Sequence, residues 1–373
     1  MFMKFKLLSF QHMLRIMLVC WAIMQLLCYP LWHGLRDFPL VPVWDELLKL
    51  PWYLHDVFFY TGLGLMVLMI WKPNKKLGAV LLVIILLNAL LDQNRWMPWH
   101  YQFIWMLAAY VFLRNEKQVL QAWSIILVSV YFYSGLSKLQ PSFIHDIWNY
   151  LVLQSWLGVH SNNQWLWRVG YLIPVGEMTM AILLLIPRFR KIGVVGLVAM
   201  HLLILLWLGP VGLNLNEVIW PWNLLMPVLL CGVFLKPDLN FEKSFFKHAF
   251  TVCLILICCS MPLLQRFGYW DKYLSFSMYS GGVPQLYICT DDQALLMEYA
   301  PFMSNRRNGM LPCNFPIPVY GWANATIKSA PYPEMRVYVS IAEQFKELHR
   351  GVEASFYIYY PGFRPSLVLL QLK

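Results

Sequence analysis

The sequence predicts an all-α polytopic membrane domain of about nine transmembrane helices, followed by a small C-terminal extracytoplasmic β-rich (α+β) domain. Three observations carry that reading. Of 373 residues, 59% are hydrophobic and 13% charged, against roughly 25% charged in an ordinary soluble domain. Apolar runs recur up to residue 265, each near the roughly 20 residues that a helix needs to cross a bilayer. Beyond that point alternating segments stand between Pro- and Gly-rich turns, which is the pattern of strands. The domain boundary therefore falls between 1–265 and 266–373.

The first span, 17–31, follows a basic segment with Lys4, Lys6 and Arg15. No small-residue cleavage site follows it, so it reads as a retained span. Pro39 and Pro42 break the next stretch, and Trp44 to Leu48 reads as a short interfacial helix. Spans two to five are 52–71, 77–91, 101–113 and 119–139, and 142–163 is a loop with a short helix. The sixth and seventh spans, 167–186 and 192–208, form a hairpin about Pro187 to Lys191; 217–235 and 249–264 complete the set. In the C-terminal part, 335–341 and 354–360 alternate as strands, and 341–350 reads as a helix.

With the N-terminus cytoplasmic, one set of loops collects fourteen Lys and Arg, and the other has five: Arg36, Lys49, Arg95, Lys138 and Arg168. That asymmetry sets orientation and, with nine spans, puts the C-terminal domain outside the cytoplasm of a plasma (inner) membrane. The net charge of +10 is explained by these loop clusters, so nucleic acid is not expected as a partner. Membrane lipids are, together with a protein partner through the C-terminal domain. None of the eight cysteines forms a CxxC pair, so neither a redox motif nor a metal site is expected. Cys289 and Cys313, in the polar tail, could pair in an oxidising compartment.

The chain is organised around Tyr131 to Leu139, an apolar run ending in a lysine. A charge there must be solvated, paired or functional; Lys138 could snorkel to headgroups or act as a base. Glu177 lies ten residues before the hairpin turn and His201 ten after it, which puts both about 15 Å from the cytoplasmic edge. Equal depth on adjacent helices lets them meet. Lys138 falls about 12 Å shallower, out of direct reach on straight helices. Asp92 and Arg95 can pair in an outer interfacial turn, and Asn223, one turn into the eighth span, needs a partner in the apolar layer. No Walker A loop, G-x-S-x-G or HExxH occurs.

Tyr131 to Leu139, with Gly135-Leu136-Ser137-Lys138-Leu139 at its end, resembles the lysine-bearing helix of the vitamin K-dependent gamma-carboxylases and their wider HTTM family. Glu177 and Met200-His201 are similar to that family's hairpin, and Asp92, His100 and Tyr101 to its outer turn, although Met97-Pro98-Trp99 stands in place of Asn-Asn-His. Trp270 to Gly281 and Pro331 to Glu334 resemble motifs of DoxX-like or HTTM proteins. The resemblance implies Lys138, His201 and Glu177 as catalytic groups. It implies Asp92, His100, Tyr101 and Asn223 around a quinone or quinol of the menaquinone or vitamin K type. The function expected on that basis is quinone-linked oxidation or carboxylation in an outward-facing intramembrane pocket. The alternative, from a different class, is a noncatalytic membrane scaffold or partner-binding protein of the cell envelope.

Overall fold

The structure is a computed structural model that describes residues 8–160, 163–237, 239–303 and 310–372. Lys4 and Lys6, which enter the charge tally, lie outside the described residues.

Helix α1, Phe10–Leu27, starts seven residues earlier than hydropathy alone places it, because Ser9 caps it by accepting from the His12 amide. The helices α2, Tyr53–Trp71, and α3, Lys75–Leu90, follow as a hairpin, the second capped by Asn74. Pro98 opens α4, Pro98–Phe112, at a position where its missing N–H costs nothing. Asn115 caps α5, Glu116–Ser137. Then come α6, Leu172–Leu185, α7, Arg190–Leu208, and α8, Trp220–Phe234. The last apolar stretch begins as α9, Ala249–Ile255, and runs on through a π-helical turn, Leu256–Ser260, into Met261–Leu264.

Among the described residues seven helical stretches are long and apolar enough to cross a membrane: 10–27, 53–71, 116–137, 164–185, 190–208, 217–234 and 249–267. The chain is a multi-pass integral membrane protein. The other two expected spans are α3 and α4, of 16 and 15 residues, about 24 and 22 Å long at the helical rise, against a hydrocarbon core of roughly 30 Å. Helix α4 is buried on nearly every side, with Trp99 to Tyr110 almost continuously enclosed. It is a central packing element, and its flanks are occupied by protein.

The C-terminal part is an antiparallel four-stranded sheet in the order β2-β1-β3-β4, with β1 Gln285–Thr290, β2 Ile317–Pro318, β3 Ala354–Tyr360 and β4 Ser366–Leu369. Three helices accompany it: α10 Gln293–Tyr299, α11 Val319–Ile327 and α12 Met335–Leu348. The strand expected at 354–360 is β3. The one expected at 335–341 is instead the first half of α12. Its buried residues, Val337, Tyr338, Ile341, Ala342 and Phe345, repeat every three to four positions, so a helix buries all five on one side where a strand would expose some. A disulfide joins Cys289 to Cys313.

This part is seated on the membrane helices. The Tyr332 amide donates to Asn94 Oδ1 at 2.9 Å, Arg336 Nε to Gln93 Oε1 at 2.6 Å, and Gln344 Nε2 to the Leu40 carbonyl at 2.8 Å. Phe38 meets Trp322 ring to ring at 4.7 Å.

Candidate functional site

The site grows from the close approach of α5 and α6. A Cβ on Gly135 would lie 2.6 Å from Met178 Cγ and 2.8 Å from the Pro174 carbonyl, so only glycine lets the two backbones come this near. Gly193 does the same between α6 and α7, where a Cβ would sit 2.8 Å from the Met180 carbonyl. Because these helices are drawn together, polar groups on their facing sides meet.

Lys138, the residue that ends α5, folds its side chain back along the helix. Its ammonium donates to Ser134 Oγ at 2.7 Å and to Glu177 Oε2 at 2.6 Å. The two side chains are 13% and 3% exposed. Straight helices would have kept Lys138 and Glu177 apart by depth, and the structure instead brings them into contact. Helix α6 proper begins only at Leu172, after a break behind the short helix Gln164–Val169, so Glu177 stands in its second turn. The long lysine stem, directed toward its own N-terminus, covers the remainder.

A second polar chain runs alongside. The Asn223 amide donates to the Ile219 carbonyl at 2.9 Å, which turns its oxygen toward His201 Nδ1 at 2.8 Å. His201 Nδ1 is then the donor, and Nε2 accepts from the Tyr131 hydroxyl at 2.7 Å. Both imidazole nitrogens of a fully enclosed histidine are satisfied, as burial in an apolar layer demands.

These two chains form the polar part of one cavity of about 480 Å³. Its remaining wall is apolar and aromatic, with Trp148, Trp156, Trp207, Trp222 and Phe276 around Lys138, Glu177, His201 and Asn223. One side is closed by the π-helical segment Phe143–Trp156, fixed by the Trp148 indole donating to the Leu166 carbonyl at 2.9 Å. This segment occupies the region expected to be a loop with a short helix.

Asp92, His100 and Tyr101 lie elsewhere and do not line the cavity. Asp92 pairs with Arg36 at 2.6 Å and accepts from the Asn94 amide. The expected Asp92–Arg95 pair is thus replaced, and Arg95 spends its donors on the Leu31, Trp32 and Asn88 carbonyls and on His55. His100 accepts from the Trp21 indole at 2.9 Å, and Tyr101 is packed among Trp96, Trp105 and Phe276.

Tyr131 and Ser134 belong to the run that ends in Lys138 but were not expected in the site, and the tryptophans were expected as anchors at the bilayer interfaces. A signal was present: Tyr131, Ser134 and Lys138 are spaced i, i+3, i+7, one stripe of a helix. Among the described residues no cluster of three His, Cys, Asp or Glu could hold a metal. The arrangement offers a cation, a carboxylate and an imidazole at one end of an aromatic chamber, a design suited to gripping the polar head of an otherwise apolar molecule.

Fold and site together define a multi-pass membrane protein with a polar-ended cavity inside its helix bundle. Residues 116–216, from the start of α5 to just beyond α7, match the family model of methylamine utilisation protein MauE. That finding overturns the resemblance to the HTTM, gamma-carboxylase and DoxX-like proteins: the helices carrying Lys138, Glu177 and His201 are similar to MauE, a different family. The motif misled because its parts have packing reasons of their own, Gly135 for the approach to Pro174 and Lys138 for the pair with Glu177. No curated protein and no solved structure matches the chain.

Proposed function

We propose that this chain is a noncatalytic membrane scaffold of the cell envelope that holds an amphipathic molecule in the α5–α8 cavity and presents its C-terminal domain to a partner. The observation that carries the reading is the mutual satisfaction of the cavity's polar groups: Lys138 is held by Glu177 and Ser134, and His201 by Tyr131 and Asn223. Each group is fixed in place by a neighbour, while Lys138 keeps a third N–H and Glu177 its second carboxylate oxygen to meet the polar head of a ligand. The similarity of residues 116–216 to MauE supports the same reading, since that unit contains Lys138, Glu177 and His201. A quinone remains one amphiphile of suitable shape, bound here as a ligand through Lys138, Glu177, His201 and Asn223. In this reading the C-terminal domain faces away from the cytoplasm.

The test uses Gly176, which lines the cavity and whose added Cβ would meet nothing within 4 Å. Native mass spectrometry of the purified chain should show a bound amphiphile that Gly176→Phe loses while its melting temperature is kept. Equal retention by the variant would place the ligand outside the cavity. Recovery of the ligand as an oxidised or carboxylated product that forms only with the intact Lys138–Glu177 pair would overturn the noncatalytic assignment.

A further inference from the structure

A second cavity, of about 470 Å³, opens where the C-terminal ends of α5 and of the 249–267 stretch meet the C-terminal domain. It is separate from the α5–α8 chamber and plays no part in the proposed function. One wall is apolar, made by Leu136, Leu139, Leu263, Phe267 and Phe363. Arg266, Lys272 and Ser277 also line the cavity. Among the described residues neither the Arg266 guanidinium nor the Lys272 ammonium makes a hydrogen bond or a close ion pair, and the Glu334 carboxylate attracts the Lys272 ammonium only at longer range. The neighbouring acids are engaged: Asp271 accepts from Arg336 and from the Tyr332 hydroxyl, and Glu334 from the Lys272 backbone amide. Ser277 is 3% exposed and its hydroxyl has no partner. The other serines at the site have already committed their protons to backbone carbonyls, Ser137 to that of Ser134, Ser275 to that of Asp271 and Ser280 to that of Ser277.

We infer that this cavity binds a phosphate-type anion at the membrane boundary, either the headgroup of an anionic phospholipid or free inorganic phosphate, through Arg266, Lys272 and the Ser277 hydroxyl. Two cations and one orphaned donor line a single cavity, and phosphate oxygens can accept from all three. An orphaned buried hydroxyl is costly to keep unless a ligand completes it. Burial pushes the Lys272 ammonium below its ordinary range against the opposing pull of Glu334, so an arriving anion relieves an existing penalty. The apolar residues that line the same cavity would meet acyl chains if the phosphate belongs to a lipid.

The experiment is native mass spectrometry of the full chain in detergent, titrated separately with phosphatidylglycerol, diacylglycerol and inorganic phosphate. Phosphatidylglycerol should bind about tenfold tighter than diacylglycerol, and Arg266→Gln with Lys272→Met should bring the two to parity. Arg266→Gln alone changes an exposed side chain and reports even if the double variant folds poorly; it should lose part of the preference. Phosphatidylglycerol binding that excess phosphate fails to displace identifies a lipid site. Phosphate binding that both variants weaken, without a phosphatidylglycerol preference, identifies a free-anion site. Binding of phosphatidylglycerol and phosphate that neither variant changes, or no preference over diacylglycerol together with no phosphate binding, overturns the inference.

Discussion

Removing one member of the Lys138–Glu177 pair strands the other in an apolar layer. Lys138→Met or Glu177→Leu alone should each cost about 3–5 kcal/mol, whereas the two together should cost far less, because paired removal leaves no uncompensated charge. Thermal unfolding of all four proteins in one detergent measures the coupling, and additive losses would show that the pair is not formed. A second residue makes a pH prediction outside the membrane helices. Burial pushes the Glu334 carboxyl above its ordinary range, so the folded chain binds its proton more tightly than the unfolded chain. Its contribution to stability is therefore complete below the ordinary carboxylate range and is lost as pH rises through the raised value. Glu334→Gln should flatten the melting temperature across that interval, and an unchanged pH profile would remove Glu334 as its source. Lys138, Glu177, His201 and Asn223 were visible in the sequence because a polar group inside an apolar helix stands out. Tyr131 was hidden among many aromatics. The true partners of Asp92 and His100, which are Arg36 and Trp21, lie too far away in the chain for spacing to reveal.

Helix boundaries and contacts follow a different logic, in which one atom can set the distance between two elements. Gly135→Ala forces α5 away from the Pro174 carbonyl and should destabilise the protein by about 1–3 kcal/mol, the range for overpacking a tight contact. It should also weaken the Lys138–Glu177 bond, so the coupling measured in the double-variant comparison should shrink in the Gly135→Ala background. Unchanged coupling would mean that the glycine does not set the approach. The apolar spans were legible as elements because length and hydrophobicity alone define them. Helix α12 was misread because Arg336, Tyr338 and Ser340 mimic two-residue alternation over 335–341, and only the continuation to Ala342 and Phe345 reveals the longer period. The π-helical segment Phe143–Trp156 leaves no distinct pattern of its own, and its Trp148 packs on Gly170 and donates to the Leu166 carbonyl, contacts with a later segment.

At the scale of the whole molecule, the C-terminal part and the bundle are joined by polar bonds that the sequence could not foretell, since they link residues more than 200 positions apart. Asn94→Ala leaves the buried Tyr332 amide without its acceptor, a loss of about 1–3 kcal/mol. Limited trypsin digestion should then release a fragment beginning near residue 267 faster than from the parent chain, and equal rates would mean that the seam does not depend on that bond. The side of the membrane on which this domain lies rests on the loop charges, and the Cys289–Cys313 bridge provides an independent check. The bridge closes a loop of sequence separation 24, enough to contribute roughly 3 kcal/mol, and such a bond persists in an oxidising compartment. In intact cells both cysteines should resist a membrane-impermeant thiol reagent until an impermeant reductant is added from outside. After that, both should be labelled together and proteolysis of the domain should accelerate. Labelling only after the membrane is opened, with both thiols already free, would place the domain in the cytoplasm and reverse the orientation of every span.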